Sequence, residues 1–428
     1  MTDLLLLAAG GTVTAAPLIE HEPTLAPAGQ LKSRVAYAAA HVIPKPFAEN
    51  VPGAPADLDW DATLAFRHHV WSHGLGVADA MDTAQRNMGL DTAATRELIT
   101  RSAAEAATVG GALVVGVNTD HVDDEVISLD AVTDAYLTQL AFAEDAGAGV
   151  VLMASRHLAR AAQSPADYER VYGAVLQRAS SPVILHWLGE AFDPVLAGYF
   201  GGEFATASDT LLRIVDGNAD TVSGVKMSLL DADLERSVRA RLPQTASLFT
   251  GDDFNYVDLI RGDGASGGEA PEDGVGDGAD DDAPRHSNAL LGAFAAIAPL
   301  ASRAIRALDD GDTDAYERIL RPTESLSRQV FAAPTFYYKT GIAFLSWLNG
   351  HQESFSMVGG LHSARSLPHL SEIVRLANTS GALERPELAA ARWHGLLALN
   401  GITGATAPQP GPAIEPAIEP ATEPGATS

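Results

Sequence analysis

The chain has 428 residues and a formal net charge of −27. This charge excludes sequence-independent nucleic-acid binding, which needs a basic face, and it disfavours binding to an anionic membrane surface. The absence of cysteine excludes disulfides, thiolate nucleophiles and metal sites with cysteine ligands. The apolar stretch from Leu4 to Ala16 lacks a basic start and is interrupted by Gly10-Gly11. It therefore predicts a short hairpin rather than a secretory signal, and we expect a cytoplasmic protein.

From about residue 34, short apolar segments alternate with segments that carry apolar residues at helical spacing. The predicted strands are Arg34–Ile43, Gly76–Met81, Leu113–Val117, Gly149–Met153, Pro182–Leu188, Val222–Met227, Ser247–Thr250 and Ala289–Phe294. Because these strands are continuously apolar, we expect them to be buried on both faces, as in a parallel sheet. No Gly-x-Gly-x-x-Gly follows the first strand. The pattern therefore predicts an α/β fold, a (β/α)8 TIM barrel rather than an open doubly wound sheet.

The remaining segments give a domain organisation around this barrel. We expect residues 1–33 to form a hairpin and lead-in, residues 34–310 the barrel, and residues 311–403 a C-terminal helical extension. Residues 263–285 are rich in Gly, Asp, Glu and Pro and predict a disordered acidic insertion. The spacing of its acidic residues does not match a calcium-binding loop. Residues 404–428 are repetitive and predict a disordered tail.

One lysine ends the sixth predicted barrel strand. The chain has only four lysines against 24 arginines, so Lys226 in an apolar strand suggests a role that arginine cannot fill. Burial lowers the pKa of a lysine, and its neutral amine can attack a carbonyl carbon, whereas arginine does not deprotonate. The alternative is a lysine with a buried stem whose amine reaches solvent.

Other polar residues follow the predicted strands, and in a barrel the carboxyl ends of the strands share one face. These residues are His41, Asp82, Thr83, Asn118, Thr119, Asp120, Ser155, Arg156, His157, His186, Ser228, Asp252 and Asp253. His157 and His186 follow the two strands before the lysine strand, one strand apart, and are the candidates for proton transfer. Several of the others have structural alternatives, such as helix capping by the aspartates or a surface ion pair for Arg156.

Two chemistries can use this set. In the first, Lys226 attacks a 2-oxo acid or related carbonyl substrate, and the resulting iminium acts as the electron sink, so that no cofactor is expected. In the second, a TIM-barrel hydrolase or isomerase binds a divalent metal through His41, His157 and His186, with one aspartate. No His-x-His follows the first strand, which argues against the second chemistry.

Three segments resemble the dihydrodipicolinate synthase and N-acetylneuraminate lyase family of lysine-dependent aldolases. Residues 224–228 (Gly-Val-Lys-Met-Ser) resemble the segment that carries the family's Schiff-base lysine. Residues 250–253 (Thr-Gly-Asp-Asp) resemble the end of its seventh strand, and residues 336–339 (Phe-Tyr-Tyr-Lys) resemble the start of a helix below the barrel. The spacing agrees from about residue 34 to 380. The chain looks like a divergent dihydrodipicolinate synthase-like branch.

The resemblance implies a class I lyase with Lys226 as the Schiff-base residue, a small-molecule carbonyl substrate, and a homo-oligomer, either a dimer or a tetramer. The family's loop for the substrate carboxylate falls on residues 82–86, where Thr83 is retained. The family's catalytic tyrosine falls on His157, and a tyrosine-like position falls on His186, so histidines replace hydroxyls as acid and base. The expected substrate-binding residues are Thr83, Arg156, Arg86, Ser228 and Asp252. A catalytically degenerate barrel that only binds a small ligand is the remaining alternative.

Overall fold

The computed structural model describes residues 3–8, 10–22, 29–262 and 286–405. The acidic insertion predicted at residues 263–285 lies outside the described residues, as does nearly all of the predicted tail at residues 404–428.

Two short strands, β1 (Leu4–Leu7) and β2 (Val13–Ala16), form an antiparallel hairpin at the start of the chain. The hairpin packs on helices from the other end of the sequence. Trp393 donates its indole N–H to the Leu5 carbonyl at 2.6 Å, and the Leu7 amide donates to Ser371 at 2.7 Å. The two ends of the described chain are therefore joined by hydrogen bonds.

Eight parallel strands close into a barrel, which confirms the predicted (β/α)8 fold. The strands are β3 (Ala36–Ala39), β4 (Gly76–Asp79), β5 (Leu113–Val117), β6 (Gly149–Leu152), β7 (Val183–Leu188), β8 (Val222–Ser228), β9 (Ser247–Thr250) and β10 (Asn288–Leu291). Each pairs with the next along the chain, and β10 closes the barrel against β3. Six of the eight lie within two residues of the predicted segments. The first is shorter, because only four of its predicted ten residues have the strand conformation, and the last ends at Leu291, three residues before the predicted end.

Fourteen helices surround and extend the barrel in the part of the chain that the structure describes. They are α1 (Trp60–Ser72), α2 (Thr92–Val109), α3 (Leu129–Asp145), α4 (Arg156–Ala161), α5 (Pro165–Leu176), α6 (Phe204–Gly217), α7 (Ala232–Arg239), α8 (Tyr256–Arg261), α9 (Ala293–Ala296), α10 (Ala298–Asp309), α11 (Thr313–Val330), α12 (Tyr338–Leu348), α13 (Leu367–Ser380) and α14 (Pro386–Leu399). Side chains cap many of them, such as Asp59 on α1 and Asp91 on α2, which accept from backbone amides of the first turn. None of the described helices is long and apolar enough to cross a membrane.

The segment from Pro194 to Val215, which the spacing of its apolar residues predicts as largely helical, is helical in two parts. Only a short 3₁₀ turn and then α6 form, and Gly198, Gly201 and Gly202 between them have φ angles of 72°, 124° and 91°. A helix requires negative φ, so these glycines end the first helical turn and redirect the chain.

The barrel interior is filled by an apolar layer that is separate from the larger core between the strands and the helices. Its members are Ala39, Ala78, Met81, Val114, Val151, Met153, Ile184, Phe249 and Leu290. Gly224 lacks a side chain in this layer because a Cβ there would lie 2.7 Å from the Phe249 ring. The polar residues His186 and Lys226 follow two positions after Ile184 and Gly224 and so lie on the same interior face, toward the carboxyl ends of the strands.

Candidate active site

Lys226 lies inside the barrel on β8. It pairs in register with His186 on β7 and with Phe249 on β9, and it is only 4% exposed. At Gly251 an added Cβ would come within 3.0 Å of the lysine Cε, so the absence of a side chain there leaves room for the lysine. Burial lowers the pKa of Lys226 from its ordinary value, and the charges of Asp82 and Asp253 oppose that change. Among the described residues, no carboxylate forms an ion pair with its amine and no hydrogen bond to its Nζ is present.

A chain of hydrogen bonds at the carboxyl end of β4 connects two loop residues with a distant helix. The Tyr338 hydroxyl donates to Asp82 Oδ2 at 2.7 Å and lies 2.6 Å from Thr83 Oγ1. Because the tyrosine proton points to the carboxylate, Thr83 donates to the Tyr338 oxygen. The Tyr338 ring stacks on Phe331 with centroids 4.3 Å apart. Burial raises the pKa of Tyr338 well above its ordinary value, so the phenol keeps its proton near neutral pH.

Asp253 is a second buried carboxyl group near the lysine. Its Oδ1 accepts from the Ala293 amide at 2.8 Å, at the start of α9. Burial raises its pKa well above the ordinary value, while the Ala293 hydrogen bond and the charge of Lys226 oppose the change. The low dielectric thus disfavours the charged forms of both Lys226 and Asp253, and it favours a neutral amine beside a neutral acid.

Lys339 is the other buried lysine, and its amine is already engaged. It donates to the Phe336 carbonyl at 3.1 Å, lies 3.8 Å from Asp82 Oδ2, and sits 4.4 Å from the centre of the Tyr338 ring. Burial lowers its pKa, and the nearby Asp82 carboxylate opposes the change. Lys339 therefore contributes to holding the Asp82 carboxylate in place.

Of the two histidines predicted for proton transfer, the structure brings His186 to the lysine. Its Nε2 lies 3.2 Å from Ser228 Oγ, and Ser228 belongs to the same strand as Lys226. Its buried Nδ1 has no hydrogen-bond partner among the described residues. Burial, together with the charge of Lys226, lowers the pKa of His186 well below its ordinary value, so the ring is neutral.

His157 lies in a different hydrogen-bond network. Its Nδ1 is 2.7 Å from Thr119 Oγ1, and its Nε2 is 2.9 Å from the Asp124 carbonyl. Both ring nitrogens are therefore occupied by groups that follow β5. The neighbouring Arg156 donates to Asp193 at 2.6 Å, so its charge is paired as the surface alternative predicts.

Arg86 and Asp252, predicted to bind substrate, make structural contacts. Arg86 is buried, forms an ion pair with Asp120, and donates to the Gly116 carbonyl at 2.6 Å. Asp252 Oδ1 accepts from the backbone amides of the next turn, with the Phe254 amide at 2.8 Å. Both side chains thus hold the loops that follow the barrel strands.

His41, the third histidine of the alternative metal site, is also engaged elsewhere. Its Nε2 lies 3.3 Å from Gln352, its ring packs edge-on to Phe66 at 4.7 Å, and burial lowers its pKa to about 3. In the described residues, His41, His157 and His186 do not bring their ring nitrogens together as metal ligands. The arrangement expected for metal-assisted hydrolysis or isomerisation is therefore not assembled.

Sequence reasoning missed Tyr338 and Lys339 as site residues and preferred Asp252 to Asp253. The motif at residues 336–339 was the available signal, but it predicted only the start of a helix. Tyr338 and Thr83 are 255 positions apart in sequence, and a rule that looks only at residues after barrel strands cannot find such a contact. Asp252 and Asp253 both follow a strand as predicted. Successive side chains of an extended segment point to opposite sides, so only one of the two aspartates faces the lysine, and the strand-end rule does not say which.

These features define a (β/α)8 barrel with a buried lysine on its sixth strand and two carboxyl groups nearby. The chain belongs to the family described as "Protein of unknown function (DUF993)", whose model matches residues 4–402. No curated protein matches the sequence.

Several solved structures are similar to this chain. Dihydrodipicolinate synthase from Aquifex aeolicus is 14% identical with a TM-score of 0.59, and the match covers 82% of this chain and 98% of that one. For 4-hydroxy-tetrahydrodipicolinate synthase from the thermoacidophilic methanotroph Methylacidiphilum fumariolicum SolV, the identity is 16%, the TM-score 0.60 and the coverage 83% and 99%. The Thermotoga maritima dihydrodipicolinate synthase is 13% identical with a TM-score of 0.57, covering 82% and 100%. The resemblance predicted from sequence is thereby confirmed for the fold.

Proposed function

We propose that this chain is a lysine-dependent lyase or aldolase-like enzyme in which Lys226 forms an imine with a 2-oxo acid or related carbonyl substrate. The observation that carries the proposal is the free amine of Lys226 inside the barrel, with a pKa lowered by burial and with no ion pair among the described residues. A lysine held only for packing or charge would gain from a direct partner, since an unpaired buried polar group is unfavourable.

Lys339 is the competing nucleophile, because it is buried as well. Its amine already donates to a carbonyl and faces Asp82 across 3.8 Å. Attack by Lys339 would break these contacts, whereas attack by Lys226 breaks none. The comparison between the two lysines therefore favours Lys226.

The first step follows from these groups. The neutral Lys226 amine attacks the carbonyl carbon, so that a C–N bond forms and the C=O π bond opens. The oxygen takes up a proton and the attacking nitrogen loses one. The resulting carbinolamine then loses its hydroxyl group as water after a second protonation, which leaves the iminium. We propose Asp253 as the acid that donates this proton, because burial raises its pKa well above the ordinary value. The neutral ring of His186 is the proposed base that takes up the proton lost by the lysine nitrogen.

The hydrogen-bond chain from Thr83 through Tyr338 to Asp82 is a second proposed route for protons. Together with Ser228, the Thr83 hydroxyl is the proposed substrate-binding group, because both hydroxyls can accept as well as donate. Arg86, Arg156 and Asp252 already have their charges engaged and are not included.

Reductive trapping tests the proposal. The full chain is incubated with borohydride and a panel of 2-oxo acids, beginning with pyruvate, and then with simple aldehydes. A stable adduct on the peptide that contains Lys226 is expected, and with four lysines in the chain its position is unambiguous. Lys226→Met preserves side-chain volume and should remove the adduct. Lys45→Arg is the matched control, since Lys45 is exposed and paired with Asp57 at 2.8 Å.

The proposal fails if no member of the panel labels the chain, or if the label falls on Lys339 or another lysine. Circular dichroism and thermal unfolding of Lys226→Met separate loss of chemistry from loss of fold. We also propose a homo-oligomer, as the resemblance implies, and light scattering on the purified chain tests this separately.

A further inference from the structure

A cluster of two histidines and one glutamate lies outside the proposed active site. His69 belongs to the last turn of α1, His351 follows α12, and Glu384 precedes α14. Glu384 Oε1 lies 2.9 Å from His351 Nε2 and 3.6 Å from His69 Nε2, and the two imidazole rings have centroids 4.4 Å apart. The ligand atoms of the three residues lie within 4.8 Å of one another, and no other such group is found in the described part of the chain.

The distances suit a tetrahedral metal site. Zinc binds imidazole nitrogen and carboxylate oxygen at about 2.0–2.2 Å, so two ligands of one tetrahedral ion lie about 3.3 Å apart. The two separations from Glu384 Oε1, 2.9 and 3.6 Å, lie on either side of this value. Small rotations of side chains that are only partly buried would bring all three donors to one ion. One carboxylate and two neutral imidazoles also match the donor preference of zinc.

A hydrogen bond alone does not account for the cluster. The 2.9 Å contact satisfies His351 and Glu384, but it leaves His69 facing the same oxygen at a distance too long for a hydrogen bond. The His69 ring makes no hydrogen bond to any described residue. Two imidazole nitrogens thus face one Glu384 oxygen, although only one of them is hydrogen-bonded to it. This arrangement is expected where a cation binds all three side chains.

A second observation comes from His73, one helical turn after His69 on the same face of α1. Its ring lies edge-on to His69 with centroids 5.0 Å apart, and it is 5% exposed. Its buried Nδ1 has no hydrogen-bond partner among the described residues. Buried polar atoms normally have a partner, so this nitrogen is a candidate fourth ligand. His73 lies outside the group of ligand atoms within 4.8 Å of one another and would reach the ion after a rotation of its side chain.

We propose that His69, His351 and Glu384 bind a zinc ion, with His73 or a water molecule in the fourth position. The ion joins α1 of the barrel to the segments that precede α14 and follow α12. It therefore fastens the C-terminal helices to the barrel wall, and its role is structural. The site is separate from Lys226, so zinc binding and imine formation are tested independently.

The test uses the full chain after treatment with a chelator and dialysis. Calorimetric titration with zinc chloride is expected to give one tight site, and zinc is expected to raise the thermal unfolding temperature. His351→Ala and Glu384→Gln each remove one ligand. Because loss of an outer-shell partner alone weakens metal binding about 10–100-fold, loss of a ligand is expected to weaken it at least about 100-fold.

His68→Ala is the matched control. His68 lies on the same helix and pairs with Glu105 at 2.9 Å, but it has no third donor. This variant should bind zinc as tightly as the unchanged chain. Absence of tight binding, or equal binding by His351→Ala, would overturn the proposal. If the variants do not fold, cobalt is added to the unchanged chain instead, because cobalt in a tetrahedral site absorbs visible light. Lack of this absorption contradicts the proposal.

Discussion

Replacing Tyr338 by phenylalanine tests the link between the C-terminal helices and the barrel mouth. The substitution keeps the ring that stacks on Phe331 and removes only the hydroxyl group, which contacts Asp82 and Thr83 at 2.7 and 2.6 Å. A hydrogen bond to a charged group contributes about 1.5–3 kcal/mol and a neutral one about 0.5–1.5 kcal/mol. The free energy of unfolding is therefore expected to fall by about 2–4 kcal/mol, measured by urea titration.

The same substitution interrupts the proposed path for protons. Formation of the trapped adduct at Lys226 is expected to slow by about 100-fold, the typical contribution of a positioned acid or base. Rapid quenching with borohydride at a series of times measures this rate. The double variant with Thr83→Val should lose less stability than the two single variants together, because both remove the same hydrogen bond.

Tyr337→Phe is the control for both measurements. Tyr337 precedes Tyr338 in sequence, packs on Phe336 with centroids 4.5 Å apart, and its hydroxyl makes no hydrogen bond to a described residue. Its removal is expected to change stability by less than about 0.5 kcal/mol. If Tyr338→Phe behaves like this control in both assays, the hydroxyl contributes nothing at this site and the reasoning is refuted.

Two further predictions concern buried titratable groups. Glu235 accepts from Ser287 and Thr250 at 2.8 and 2.9 Å, and burial raises its pKa from 4.5 to about 8. The raised pKa stabilises the fold fully below pH 4.5, and this contribution is lost as the pH rises toward 8. At 1.36 kcal/mol per pH unit the loss is up to about 5 kcal/mol. Urea titrations between pH 5 and 8 should therefore show a steeper decline in the free energy of unfolding for the unchanged chain than for Glu235→Gln. His186→Ala should slow adduct formation about 100-fold, whereas His157→Ala should not, because only His186 borders Lys226. Equal rates for the two variants in the trapping assay would argue against this assignment.

The fold could be predicted from sequence because a continuously apolar segment indicates a strand that is buried on both faces, as in a parallel barrel. Ser247–Thr250 and Leu113–Val117 were predicted with the same bounds that they have in the structure. The predicted element ends differ from the structure where the backbone conformation of single glycines determines where an element ends. The largely helical segment from Pro194 is divided by glycines with positive φ. The last strand ends at Leu291 because Gly292 already has helical φ and ψ.

The candidate site could be predicted only in part. The strand-end rule found Lys226, His186 and Ser228, which the structure brings together through adjacent strands. It could not distinguish residues that face the barrel interior from those that hold loops, as Arg86 does with Asp120. Such contacts depend on the conformation of the loops after the strands, and sequence spacing does not specify it.

Asp82 connects the C-terminal helices with the surroundings of the proposed catalytic lysine. Its carboxylate accepts from Tyr338 and lies 3.8 Å from Lys339, and both partners stand at the start of α12. Since the charge of Asp82 also opposes the lowered pKa of Lys226, the position of α12 helps to set how readily the Lys226 amine loses its proton. Any change that moves α12 away from the barrel would free the carboxylate from two partners and alter its electrostatic effect on the amine. The helices that look like an appendage in the sequence therefore supply two of the groups that surround the proposed catalytic lysine.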